Sequence, residues 1–318
     1  MVSIRVLGSF AAEWNGGPVP LGGRRQRAVL ARLAVARGAV VSVDRLVEEI
    51  WQGAPPARAV TSLQAYVSNL RRLLEPGRAP RTPATLLVSA PPGYALRLPD
   101  GAVDAWRFER LLREAREVPQ GRPETARRLL GEALSLWRGT AYAEFVDDSW
   151  ARAEVARLDE LRLVARELNV VAGLRSADAA VTVPEAELLT VDEPLREEGW
   201  RLHALALWAA GRQADALATL RRARAVLAAE VGLDPGPALN ELEAAVLGGR
   251  TEVLRAATEV PRHRPPTAAR TPRSCTPKPP PRWPGRAPRT PAASCRPRWR
   301  RSGPLREGSA SSSRRPGS

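Results

Sequence analysis

The sequence predicts a mainly α protein in three parts: an N-terminal α+β winged helix over residues 1–98, a tetratricopeptide-like helical domain over 99–250, and a disordered Pro/Arg-rich tail over 251–318. Three observations predict it. Short β-like runs flank three amphipathic stretches in the first hundred residues, apolar spacing is helical almost throughout from Val103 to Leu247, and composition changes abruptly at Pro261. Charge follows the same partition: residues 1–98 hold 13 Arg against 5 acids, residues 99–260 hold 21 against 28, and residues 261–318 hold 15 basic residues against 1 acid. With a net charge of +15, the basic head and tail point to a polyanionic partner.

In order, Ser3 to Phe10 and Ala11 to Trp14 alternate like strands, and Asn15-Gly16-Gly17 turns the second toward Val19–Leu21. A helix from Arg24 to Arg37 carries Leu30, Leu33 and Ala34 inward and stops at Gly38. Ser42 is placed as N-cap of a second helix through Trp51. After Gly53 comes a third helix read from Pro55 to Leu74, with Val60, Leu63, Val67, Leu70 and Leu74 as its apolar stripe. Thr85–Ser89 and Tyr94–Leu98 then form a hairpin about Pro91-Pro92-Gly93.

The third helix decides the functional reading. Arg58, Thr61, Gln64, Ser68, Arg71 and Arg72 lie around its polar side, and no Asp or Glu occurs between Glu49 and Glu75. A solvated face mixes both signs, whereas Arg with Gln, Thr and Ser offers phosphate contacts and base-edge hydrogen bonds together. Three helices, the last basic, closed by a hairpin are the order of a winged helix, a helix-turn-helix variant that lays one helix in the major groove.

Beyond Val103, Trp106, Leu111, Leu112 and Ala115 make one stripe, and Ala126, Leu129, Leu130, Ala133 and Leu136 another behind Pro123. A long helix follows from Ser149 to about Leu174. Leu195–Ala210 and Gln213–Glu230 make an antiparallel pair joined at Gly211, and Ala238–Leu247 a shorter helix. Small residues at the expected crossings (Ala204, Ala206, Ala214, Ala216) suggest stacked helix pairs.

LGGRRQRAVLARLAV, VSVDRLVEEIW, PPARAVTSLQAYVSNLRRLL and PPGYALRL closely resemble the DNA-binding domain of the SARP family of bacterial transcriptional activators, whose winged helix is similar to that of OmpR-type regulators. DAWRFERLLREA, DEPLREEGWRLHALALWAAGRQADALATLRRARAVLAAEVG and LDPGPALNELEAAVL resemble the bacterial transcriptional activator domain that follows it in that family. Residues 176–195, Val- and Thr-rich, depart from the family's helical pattern. The resemblance implies a transcriptional activator, of a biosynthetic (secondary-metabolite) gene cluster, that binds double-stranded promoter DNA as a homodimer on direct repeats about 11 base pairs apart and recruits RNA polymerase. It places Arg24, Arg25 and Arg27 near phosphates, and base and backbone contacts on Arg58, Thr61, Gln64, Ser68, Arg71 and Arg72. Because Arg71 and Arg72 are adjacent, one reaches phosphate and the other flanks it. Tyr94 or Arg97 reaches a minor groove or sugar edge from the wing, or Tyr94 packs under the hairpin and Arg97 is solvated.

Several classes are excluded as expectations. Both cysteines, Cys275 and Cys295, lie in the tail, so the body has no disulfide framework or thiolate metal site. His203 and His263, the two histidines, lack a nucleophile or ligand partner at useful spacing, so no catalytic site, metal or cofactor is expected. Asp147-Asp148 and Glu197-Glu198 fit helix N-terminal charges better than a catalytic dyad. The N-terminus has no signal-peptide pattern and no apolar run spans a membrane, which predicts a cytoplasmic, nucleoid-associated protein without a membrane partner. The tail holds 14 of 30 prolines and the only lysine, Lys278, with no phosphate-binding loop, and is either a functional basic tail or a frame-shifted end. The competing function is a helical interaction scaffold with nonspecific DNA affinity.

Overall fold

The computed structural model describes residues 2–79, 81–176 and 179–256, so the expected disordered tail lies, from residue 257, outside the described residues. Strand β1 (Val2–Arg5) pairs antiparallel with β2 (Ala11–Trp14), and β2 with β3 (Gly17–Pro18). Trp14 faces Gly17 across Asn15-Gly16, both at positive φ, as a tight two-residue hairpin requires. The third strand is Gly17–Pro18 rather than Val19–Leu21, because Leu21 turns into the core and its carbonyl accepts a bond from Gln26 Nε2 at 2.7 Å.

Helix α1 (Arg24–Val35) is followed by Gly38 at φ 84°. Strand β4 (Val41–Ser42) leads into α2 (Val43–Ile50), whose N-cap Ser42 Oγ accepts the Arg45 N–H at 3.2 Å. Helix α3 (Ala59–Leu74) starts four residues later than the sequence suggested, since Pro55 and Pro56 favour a turn closed by the Ala59 N–H on the Pro56 carbonyl. Its buried row is Ala59, Leu63, Val67, Leu70 and Leu74. Val60, expected inside, is 45% exposed, because two adjacent residues cannot share one helical row and Ala59 holds the inner place.

The wing is β5 (Leu87–Ala90) and β6 (Gly93–Leu96), paired in the order β4-β6-β5. Its position is set by Gly93, where a Cβ would stand 1.8 Å from the Val41 carbonyl oxygen.

The second half is helical: α4 (Asp104–Glu117), α5 (Pro123–Ser135) with Pro at its start, a 3-10 turn at Ala143–Phe145, and α6 (Ser149–Arg175). Helix α7 (Ala179–Asp192) forms in the Val/Thr-rich stretch despite Pro184, burying Val183, Ala186 and Leu189. Packing there overrides β-propensity. Helices α8 (Glu197–Ala209), α9 (Gln213–Val231) and α10 (Pro237–Leu247) follow, and α11 (Thr251–Ala256) occupies residues assigned to the tail because Leu254 is buried. Ala204, Ala206 and Ala216 sit at crossings, whereas Ala214 is exposed. At Gly173 a Cβ would meet Arg127 and Thr182 at 2.4 Å, which fixes how closely α6 can approach α7.

Two cores result, and neither ends at residue 98. The first runs from Val2 and Val6 through α1–α3 to Phe108, Tyr142, Phe145 and Leu158; the second joins Val170 to α7–α11. The first sheet is stitched to the helical half: Ile4 N–H donates to the Ala102 carbonyl at 2.7 Å and Tyr142 N–H to the Val6 carbonyl at 2.7 Å. The Asp104 carboxylate accepts the Val6 and Leu7 N–H groups at 2.8 and 3.3 Å and pairs with Arg138. Burial raises the Asp104 carboxyl above its ordinary value, against these hydrogen bonds.

Candidate nucleic-acid interface

The outer face of α3 is built by its inner one. With Ala59, Leu63, Val67, Leu70 and Leu74 locked in the core, helical spacing leaves Arg58, Val60, Thr61, Gln64, Ala65, Ser68 and Arg72 exposed. Arg58 occupies the N-cap position and makes no ion pair among the described residues. No carboxylate lies on the helix. Glu75, just past its end, is turned inward, accepting the Thr85 and Leu86 N–H groups at 2.8 and 3.2 Å. Burial pushes its carboxyl up, but the Thr85 hydroxyl, those two N–H groups and the nearby Arg78 charge outweigh it, holding Glu75 below the usual carboxylate range.

The two adjacent arginines divide as spacing demands. Arg72 stays outside, donating to Asn69 Oδ1 at 2.7 Å, and Asn69 Nδ2 donates in turn to buried Gln26 Oε1 at 2.9 Å. Arg71 turns to the wing, bonding the Leu87 carbonyl and Ser89 Oγ, both at 2.8 Å, with its guanidinium 5.8 Å from the centroid of the Tyr94 ring. Tyr94 is thus packed between core and Arg71. Arg97 lies four residues from Gly93, about 13 Å along the strand direction, at the hairpin's open end beside Arg37, Trp106 and Arg113. Arg97 is exposed there, with its N–H on the Leu86 carbonyl at 2.7 Å.

The start of α1 also separates. Arg24 donates to both Asp148 oxygens at 3.0 and 3.1 Å, and Gln52 Nε2 to the same carboxylate at 2.7 Å, so Arg24 is committed to the helical half. Asp148 is the N-cap residue of α6, but its carboxylate, 3% exposed, serves Arg24 rather than the helix end. Arg27 pairs with Glu144, which raises its guanidinium further above the ordinary value. Arg25 alone of the three makes no ion pair among the described residues; it lies 5.7 Å from the Trp51 ring centroid, and Trp51 stacks on Tyr66 of α3 at 6.2 Å. Sequence reasoning missed Gln26, Asn69, Glu144 and Asp148. Polar residues that act by reaching another element carry no local periodic signal.

Two family models match: "Transcriptional regulatory protein, C terminal" over residues 17–96 and "Bacterial transcriptional activator domain" over 103–247. Regulatory protein DnrI of Streptomyces peucetius is 34% identical over 264 residues, 82% of this chain and 97% of that protein. The chain belongs to the SARP family of bacterial transcriptional regulators. The SARP relative EmbR of Mycobacterium tuberculosis is 37% identical over 243 residues, 76% of this chain but 62% of EmbR, so the chain spans under two thirds of that relative. A solved structure of EmbR in complex with a low-affinity phosphopeptide has a TM-score of 0.74 at 35% identity, covering 80% of this chain and 69% of that one. Among the described residues no helix is long and apolar enough to cross a membrane.

Proposed function

We propose that this SARP-family chain is a sequence-specific transcriptional activator whose α3 enters the major groove of promoter DNA. The observation that carries the reading is the acid-free outer face of α3, on which Arg58, Thr61, Gln64, Ser68 and Arg72 stand exposed over a fully buried inner row. Gln64, Thr61 and Ser68 are base-edge readers, Arg58, Arg72 and Arg25 phosphate contacts, and Arg71 with Tyr94 the strut that sets the wing beside the groove. The family resemblance supports RNA polymerase as partner and a biosynthetic gene cluster as target. It also supports a homodimer on direct repeats, and one α3 reads too few base pairs to select a promoter alone.

Selection of a random duplex library with the full chain, then titration across salt, tests this. An activator of this kind holds an affinity ratio of about 10³ or more between the selected duplex and random DNA at physiological salt. Equal affinities would leave the scaffold reading in its place. Inserting about 5 base pairs between selected repeats turns one half-site by half a turn and abolishes cooperativity, and about 10 partly restores it. Unchanged binding after the half-turn insertion rejects the tandem dimer.

A further inference from the structure

Val60 is the feature of the α3 face that phosphate and hydrogen-bond recognition leave unused. It is 45% exposed in the first turn of the helix, one residue after Ala59 enters the core. A single exposed valine on a solvated helix needs no account. This one has different neighbours. Thr61 follows it, Arg58 precedes it by two positions, Gln64 lies one turn on in the same row, and no acid occurs on the helix. Ala65, the other exposed aliphatic side chain, ends at Cβ, so Val60 has the greater apolar reach. In helix-turn-helix docking the N-terminal residues of the recognition helix meet the base edges, and the one apolar group a base edge offers in the major groove is the thymine C5-methyl.

We infer that Val60 reads a thymine methyl, setting a T preference at one position of each half-site next to the base read by Gln64. The inference rests on the proposed DNA-binding function and deepens it. A valine isopropyl covering one methyl removes about one carbon's worth of apolar surface from water, which corresponds to about a fourfold affinity difference.

The test replaces thymine by deoxyuridine, one position at a time, in the duplex selected by the full chain. Uracil keeps every hydrogen-bonding group and removes only the methyl. Wild-type protein is expected to lose about fourfold at one thymine, and Val60→Ala to bind the thymine and uracil duplexes equally there while keeping wild-type affinity for random DNA and a wild-type melting midpoint. Arg72→Ala, weakened on every duplex, is expected to retain the uracil penalty. A penalty that persists in Val60→Ala, or none at any thymine with wild-type protein, overturns the assignment while leaving specific binding intact. A chain that enriches no sequence overturns the function itself and the assignment with it.

Discussion

Gln64 and Arg72 stand on one face of α3 and are held differently. Arg72 is tied through Asn69 to buried Gln26, which places its charge without giving it a base to choose, whereas Gln64 is exposed with a two-ended amide suited to adenine. Gln64→Ala is expected to cost about 1 to 3 kcal/mol on the selected duplex and little on random DNA, measured by anisotropy titration. Arg72→Ala should weaken both and lower the salt slope by about 1. Equal losses for Gln64→Ala on both duplexes would remove it as a base reader. His203 is a residue-scale matter of stability instead. It is 9% exposed in α8, and burial, helped by Arg212 and Arg222 and opposed by Glu187, holds its imidazole below the ordinary value. The folded pKa lies below the unfolded one, so the unfolded chain takes the proton first: stability is intact above about pH 6.5 and declines as pH falls below it. Melting midpoints between pH 7 and about 5.5 should fall in wild type and flatten in His203→Leu. Parallel declines would dismiss the histidine.

At the scale of elements, among the described residues Arg71 is the α3 side chain that hydrogen-bonds the wing strands. Arg71 makes two bonds to β5, each contributing about 1 kcal/mol net, and covers the Tyr94 ring. Arg71→Ala should raise amide hydrogen exchange across Leu87–Leu96 while α3 keeps its protection. Unchanged exchange in the hairpin would show that Gly93 and the β4 pairing hold it alone. The same elements explain what the sequence discloses. Helices α1 and α2 were legible because Gly38 and Ser42 carry local stop and cap chemistry, and Pro123 did the same for α5. The inner row of α3 was read one residue out at its start, since Val60 is more apolar than Ala59 and no capping side chain marks Arg58 as the N-cap. Helix α7 was hidden by Val, Thr and Pro184, whose local preferences oppose a helix that contacts with α6 and α8 impose. The division of Arg24, Arg25 and Arg27 was not legible. It depends on Asp148 and Glu144, more than a hundred residues away.

For the whole molecule, the boundary between the two family models is not a boundary in packing. Val6 and Leu7, fully buried, are bonded to residues 104, 138 and 142, and the core that begins at Val2 continues through Phe108 and Phe145. Arg24 with Asp148 and Arg27 with Glu144 close the other side. Helix α3 is therefore carried by a body that includes α4–α6, which fixes its direction relative to those helices. A fragment of residues 1–98 would expose Val6, Leu7 and Phe10 at about 1.5 to 3 kcal/mol for each large side chain, and would leave the Val6 and Leu7 N–H groups without Asp104. Against a total stability of about 5 to 15 kcal/mol for a domain, that loss is most of what is available. The expected outcome is a 1–98 fragment with helical far-ultraviolet dichroism but no cooperative thermal transition, and a 1–175 fragment, which keeps the first core entire, that melts cooperatively and binds the selected duplex. A 1–98 fragment melting within a few degrees of the full chain would mean that the winged helix is autonomous and that the shared core only orients it.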